Sequence, residues 1–330
     1  MQTAMQTIYK FSGQEPEFQA EGEVVYSVFG DRGRLTQEKR LISKGPFVVA
    51  RKGRLWKIRI TNLDCEDPFF EEMGFDGMAI YKLHQYDEEI SRQRLGDSKN
   101  RISASGRIFP CSHLLGMAGE LLFPVWLAFC SSDYFSTRRD ERIVSPGFLL
   151  ETFSRRPVPL HVLMPAKWKW EGHAFVSRID WFSEGKELGF SDSGGVEIQS
   201  YPPPFDRGGF LYGSFETTKW TEFSGMKLPG GFRLDVFAPN QMQLHPDPTQ
   251  GELCKTWSLE ATVNAVGPLK NFFCLPELTR VTSMTDGRFR DDRYPGGSLR
   301  YESHAWLTEE AIEAKNKKFG VICEKQIPQD

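Results

Sequence analysis

Leu55-Trp56-Lys57-Ile58-Arg59-Ile60-Thr61, then Glu71-Glu72-Met73-Gly74-Phe75-Asp76-Gly77-Met78-Ala79-Ile80-Tyr81-Lys82-Leu83, alternate apolar with polar side chains and reverse at Asp76-Gly77. A side-chain period of two is that of a strand with one buried face, and a glycine-containing reversal joins two such strands as a hairpin. The same alternation reaches back to Phe18. Strands are therefore expected at 18–29, 47–51, 55–61, 69–75 and 78–84, with Lys52-Gly53 as a second tight reversal. A charged loop over 87–100 separates these from another strand at 101–109. Neighbours in sequence should pair in space, giving an antiparallel meander.

Beyond residue 110 the pattern changes, then returns. Pro124 suits the first turn of a short helix running through Val125 to Cys130. The run Ser136 to Arg142 mixes both charge signs and reads as a solvated loop. Pro157, Pro159 and Pro165 imply irregular, extended chain. Further strands are expected at 175–182, 196–201, 209–216, 232–237, 256–266 and 278–285. Tyr201-Pro202-Pro203-Pro204-Phe205 reads as a stiff, polyproline-like connection between two of them. Near the end, Thr308 is placed to cap a helix with Glu309 and Glu310 in its first turn, Lys315, Lys317 and Lys318 in its last, and Gly320 after it. Leu307 and Ile312 occupy the staple positions of that helix. The domain reading is a polar leader over 1–16, one β-rich domain over 17–320 with a helical or irregular insertion at about 112–165, and a tail over 321–330.

Composition narrows the class. With 39% hydrophobic and 26% charged residues the chain belongs with globular proteins, and 26 Phe and 8 Trp favour pleated, half-buried surfaces or an apolar cavity. A net charge of −3 without a long basic run argues against nucleic acid as a partner. The apolar run over 114–129 is broken by Gly116, Gly119, Glu120 and Pro124. It is shorter than the roughly 20 residues of a membrane span, so no integral membrane segment is expected. Residues 1–14 lack the basic start and apolar centre of an export signal. The default address is the cytoplasm, with the periplasm or cell envelope as the alternative if a signal lies upstream. No oligomeric state is assigned.

Recognisable catalytic chemistry is sparse. Asp192-Ser193-Gly194-Gly195 looks like a serine-protease nucleophile loop, but Ser191 stands where that loop needs glycine, and His173 lacks the required context. A glycine-rich turn explains the same residues. The histidines 84, 113, 161, 173, 245 and 304 do not pair at ligand spacing. The cysteines 65, 111, 130, 254, 274 and 323 form no C-x-x-C pair. Asp286, Asp291 and Asp292 miss the spacing of a calcium loop. No catalytic residue, metal site or cofactor is expected.

Gly45-Pro46-Phe47, the strand Leu55 to Ile60 and the hairpin Gly74 to Tyr81 together resemble the opening of outer-membrane lipoprotein-carrier proteins of the LolA/LolB kind. Phe123 to Phe135 and Leu228 to Pro239 resemble, in matching order, segments of a group of uncharacterised proteins of planctomycete and verrucomicrobial type. The resemblance covers about half of the chain. It implies a large antiparallel sheet curled into an open half-barrel, with helices lidding an apolar concavity that holds acyl chains. This chain departs from the carriers in being longer.

The expected fold is therefore mainly β (α+β): a curved antiparallel sheet with a few helices packed on or lidding its concave face. The expected function is non-catalytic binding of lipid or lipoprotein acyl chains by an apolar face containing Trp56, Ile58, Ile60, Tyr81, Phe232, Leu234 and Val236. Two alternatives stand beside it. One is a hydrolase whose carboxylates converge from separate strands, the other a structural or assembly β protein. An alternating apolar face is more often solid core than ligand cavity.

Overall fold

In a computed structural model of the chain, the described residues are 16–31, 34–62, 69–86, 102–110, 122–131, 166–172, 174–190, 196–240, 252–276, 286–293, 299–303, 305–308, 310–312 and 314. They are mainly β-strand, and the chain divides into two compact units, each built from separate stretches. The first comprises Met1–Gln19, Val48–Leu114 and Pro268–Asp330, the second Ala20–Phe47 and Leu115–Gly267. Strands β1 (Glu17–Asp31) and β2 (Arg34–Lys52) are long enough to lend residues to both.

The first unit is the expected meander. After the end of β2 come β3 (Leu55–Asn62), β4 (Phe69–Phe75), β5 (Ala79–Tyr86) and β6 (Ile102–Pro110), with β4 antiparallel to β3, β5 to β4 and β6 to β5. Gly53, with φ of 58°, opens the turn between β2 and β3. The turn between β4 and β5 is held by Asp76, whose Oδ1 accepts the Met78 and Ala79 amides at 2.8 and 2.7 Å, while Gly77 takes φ of 96°. An aspartate that satisfies two turn amides beside a glycine free to adopt positive φ is why Asp-Gly reverses a chain. Two later strands complete this unit: β14 (Asp286–Asp291) lies parallel to β6, and β15 (Leu299–Ser303) lies antiparallel to β14.

In the second unit the order runs from β1 to β13 (Leu253–Gly267), β12 (Met226–Pro239), β11 (Leu211–Phe223), β8 (Val176–Ser183) and β7 (Ala166–Gly172). The β11–β12 hairpin turns through Ser224 and Gly225, at φ of 50° and 75°, the left-handed pair that suits a two-residue connection. A separate antiparallel ribbon joins β9 (Lys186–Phe190) to β10 (Val196–Ser200). Helix α1 (Leu122–Phe129) packs on β12, β8 and β11, and all eight of its residues are buried. Pro124 falls in its first turn, where an amide hydrogen has no helical acceptor to lose. At the other end the Ser131 hydroxyl donates to the Leu127 carbonyl at 2.6 Å. Among the described residues no further strand pairs with β15 or with β7, and the mainly β class with a helix against the strands is as expected.

Several details depart from the sequence reading. β14 pairs parallel with β6 where a purely antiparallel meander was expected. The parallel pairing follows a long return of the chain that no local pattern announces. β7, β9, β14, β15 and the first half of β2 were not anticipated. The Tyr201-Pro204 run does not stay extended. It turns into one 3-10 turn at Phe205–Arg207, with Tyr201 and Phe205 each closing edge-on against Phe210. The capped C-terminal helix begins as read: the Thr308 hydroxyl accepts the Ala311 amide at 3.3 Å, and Ile312 is buried. The leader, the loops over 87–100 and 136–142, the proline-rich stretch near 157–165, the strand at 278–285 and Asp192-Gly195 lie outside the described residues.

Candidate functional site

Of the seven side chains expected on an apolar ligand face, Trp56, Ile58, Ile60 and Tyr81 fall in the first unit and Phe232, Leu234 and Val236 in the second. All seven are buried. Register then decides which of them share a surface, since residues directly opposite one another on paired strands point to the same side.

In the second unit three rows run across β8, β11, β12 and β13. Ile179, Phe215, Leu234 and Leu259 make one, Trp181, Gly213, Val236 and Trp257 the next, and Thr217, Phe232 and Ala261 a third. Phe232, Leu234 and Val236 therefore stand on one apolar face. Helix α1 lies on that side: the Phe129 ring is 5.9 Å from Phe232 and 6.4 Å from Phe47, and Phe215 and Phe47 each stand 6.0 Å from Phe232. Ring centroids at these separations, tilted or edge-on, are the favourable arrangement of aromatic quadrupoles. α1 is apolar around its whole circumference, unlike a surface helix with one polar stripe.

The reverse face of the same strands is ionic and mutually satisfied. Arg178, Glu216, Arg233 and Glu260 alternate in charge across four strands, and Asp180, Ser214, Asp235 and Ser258 follow in the adjacent row. The Ser214 hydroxyl donates to Asp180 at 2.7 Å and the Ser258 hydroxyl to Asp235 at 2.6 Å. Buried Asp235 also meets Arg233 at 3.1 Å and Lys255 at 3.0 Å.

The first unit divides its four expected residues between faces. Trp56, Phe75 and Ile80 form a row, with Ile58 and Met73 in the next and Ile60 beside Glu71 in the third. Tyr81 neighbours Ile80 on the strand, so it points the other way, and it cannot line the same surface as Trp56. Its own face holds Leu83, Gly106, Phe289 and Tyr301 in one row. Trp306 lies over that row, 5.4 Å from Tyr81 and 4.7 Å from Phe289, with its indole N–H donating to the Pro276 carbonyl at 2.9 Å. Glycine at 106 makes this possible, because a Cβ there would stand 2.4 Å from the Phe289 ring. Burial pushes the Tyr81 hydroxyl pKa up, Asp76 adds to the rise and Arg293 opposes it.

On the Trp56 face the rows become ionic as they cross β5. Ile58 and Met73 continue into Lys82, Arg107, Arg290 and Arg300, while Ile60 continues into Glu71, His84, Ser105, Arg288 and Glu302. Glu71 stands 3.3 Å from the His84 ring and 3.6 Å from Lys82. Burial raises its pKa, but the charges of Lys82 and His84 and the His84 hydrogen bond outweigh that and hold it at about 2. Asp292 takes both Arg107 and Arg290, and buried Asp291 is gripped through both oxygens by Arg293. None of the arginine positions was singled out from sequence. Arg288-Phe289-Arg290 and Arg300-Tyr301-Glu302 do alternate, and that period was the available signal, but the glycines and prolines around them masked it.

Glu71, His84 and Ser105 lie side by side in the order of a carboxylate, histidine and serine triad. Such chemistry also requires backbone N–H donors converging on an oxyanion. Ser105 sits within an inner strand paired to β5 and β14 on either side, so its surroundings are a regular ladder and not a strained turn. The row reads as an ion network. Among the described residues no group of three or more His, Cys, Asp or Glu could hold a metal, and no helix is long and apolar enough to cross a membrane.

No family model and no curated relative matches the sequence. Among solved structures the chain is similar to a LolA superfamily protein from Nitrosomonas europaea, at 8% identity over 82% of this chain and 94% of that one, with a TM-score of 0.28. It is also similar to a DUF1329 family protein from Desulfovibrio piger, at 8% identity over 82% of this chain and 91% of that one, with a TM-score of 0.24. Superposition at this level carries no argument about function.

Proposed function

We propose that the protein is a non-catalytic binder of an apolar ligand of acyl-chain type, taken against the apolar sheet face of the second unit that carries Phe232, Leu234 and Val236. One observation carries this reading: α1 is apolar on every side and rests on an aromatic face. All eight residues of α1 are covered by the protein itself, as a helix that is apolar all round requires. An acyl chain would therefore reach the aromatic sheet face by displacing α1, whose apolar side chains it matches in chemistry. Being eight residues long, it is also short enough to shift without dismantling the strands beneath it.

Titration with a fluorescent fatty acid tests the reading. Saturable binding that unlabelled lipid displaces, and that Phe129→Ala alters, supports it. Absence of saturable binding contradicts it and leaves the face as solid core. The apolar residues Trp56, Ile58 and Ile60 of the first unit belong to the proposal as a second face of the same chemistry, and Tyr81 to the opposite side of that sheet.

A further inference from the structure

The second unit shows how a sheet normally arranges charge, with Arg178, Glu216, Arg233 and Glu260 alternating from strand to strand. Like charges directly opposite one another repel and destabilise the pairing. The first unit breaks this rule. Arg107 on β6 is the register partner of Arg290 on β14, which is in turn the partner of Arg300 on β15, and Lys82 extends the row on β5. In the adjacent row Arg288 stands beside Ser105.

Compensation is incomplete. Asp292 is shared by Arg107 and Arg290, Glu302 pairs with Arg288 at 3.2 Å, and Glu71 pairs with Lys82. Arg300 is exposed and makes no ion pair among the described residues. The arginine heads are reachable from solvent, with Arg107 37% and Arg290 40% exposed. Strands about 4.8 Å apart place the stems of Arg107 and Arg300 about 10 Å from each other. Flexible guanidinium forks on such stems can close on a single tetrahedral anion between them, each through two N–H donors. The exposed Ser105 hydroxyl can add a further donor.

We propose that Arg107, Arg290 and Arg300, flanked by Arg288 and Ser105, bind a phosphate group, carried either by a phospholipid headgroup or by a soluble phosphate. This goes beyond acyl-chain binding and concerns the first unit alone. It stands if the fatty-acid titration fails, and falls without touching that titration if phosphate does not bind. A chain of net charge −3 with a cationic strip only three to four strands wide is a poor fit to a nucleic-acid backbone, which needs a longer basic track.

The test titrates the full chain calorimetrically with inorganic phosphate, and sediments it with phosphatidylcholine vesicles made with and without phosphatidic acid. The variants are Arg290→Gln and Arg300→Gln, with Arg178→Gln on the ionic face of the second unit as control. Saturable phosphate binding, weakened about tenfold or more in both variants and unchanged in the control, is expected. Capture by phosphatidic acid vesicles in addition assigns a lipid headgroup, and phosphate binding without capture assigns a soluble ligand. Arg290→Gln removes one partner of Asp292 and can perturb folding. Arg300→Gln is exposed and unpaired among the described residues, so it reads out the site with the fold intact by circular dichroism. No binding of phosphate or vesicles overturns the proposal, as does binding that Arg300→Gln leaves unchanged. An oligonucleotide that binds and is not displaced by phosphate also overturns it.

Discussion

The two units solve the same problem, where to put charge on a sheet, in opposite ways. In the second unit apolar and ionic side chains are sorted by face, and every row of charges on the ionic side alternates in sign or is bridged by a hydroxyl. In the first unit charge and grease share a face: a row starts at buried Ile58 and ends in Arg107, Arg290 and Arg300. The lesson is that a satisfied ionic lattice serves stability and solubility, whereas in the lateral run of one sign Arg107 and Arg290 share a single carboxylate, Asp292, and Arg300 makes no ion pair among the described residues. Exposed ion pairs individually add little to stability. Arrangement, rather than number, separates the two faces.

That contrast can be broken or sharpened by substitution. The largest effect is expected at the aromatic centre of the second unit, where Phe232→Ala should cost about 3–5 kcal/mol in urea denaturation, because Phe47, Phe129 and Phe215 cannot all close the gap. Next comes acid sensitivity in the first unit. Glu71 is held at about 2 against an ordinary 4.5, so its ionised form favours the folded state. That stabilisation is complete above the unfolded value and fades as pH falls from about 4.5 towards 2, with an upper bound on the order of 3 kcal/mol. Glu71→Gln should flatten this acid limb, read as amide exchange of β4 and β5 against pH. An unchanged limb would remove the ion network from the account.

Asp235→Asn should cost about 1–3 kcal/mol, since Arg233, Lys255 and Ser258 lose the carboxylate they share. Thermal melting checks it. The smallest stability effect is expected for Arg300→Gln, within about 0.5 kcal/mol of the parent, because an exposed arginine beside other arginines contributes little to folding. A large loss there would mean the row is structural after all.

Much of this was legible in the sequence. The alternation of Trp56, Ile58 and Ile60 with Lys57, Arg59 and Thr61, and the Asp76-Gly77 reversal, were enough to place β3 to β5. Phe232, Leu234 and Val236 alternate with Arg233 and Asp235 in the same way, and the register of β12 sets them on one side of the strand. Tyr81 was not separable from Ile80 by pattern alone. The Asp76-Gly77-Met78 loop sets Phe75 opposite Ile80, and only that register sends Tyr81 to the other side. β14 and β15 are short, and β14 meets β6 through a parallel pairing of residues nearly two hundred positions apart. The arginine row is created by that pairing, so its members look unrelated along the chain. In the same way, α1 was placed by Pro124, while its seat against Phe47 and Phe232 depends on contacts that local sequence does not encode.

The acyl-chain titration of the wild-type chain tests the central claim most directly. A single saturable phase, reversed by unlabelled lipid and shifted by Phe129→Ala, is the predicted result. A flat titration, with the Phe232 face behaving as sealed core in both proteins, would contradict it.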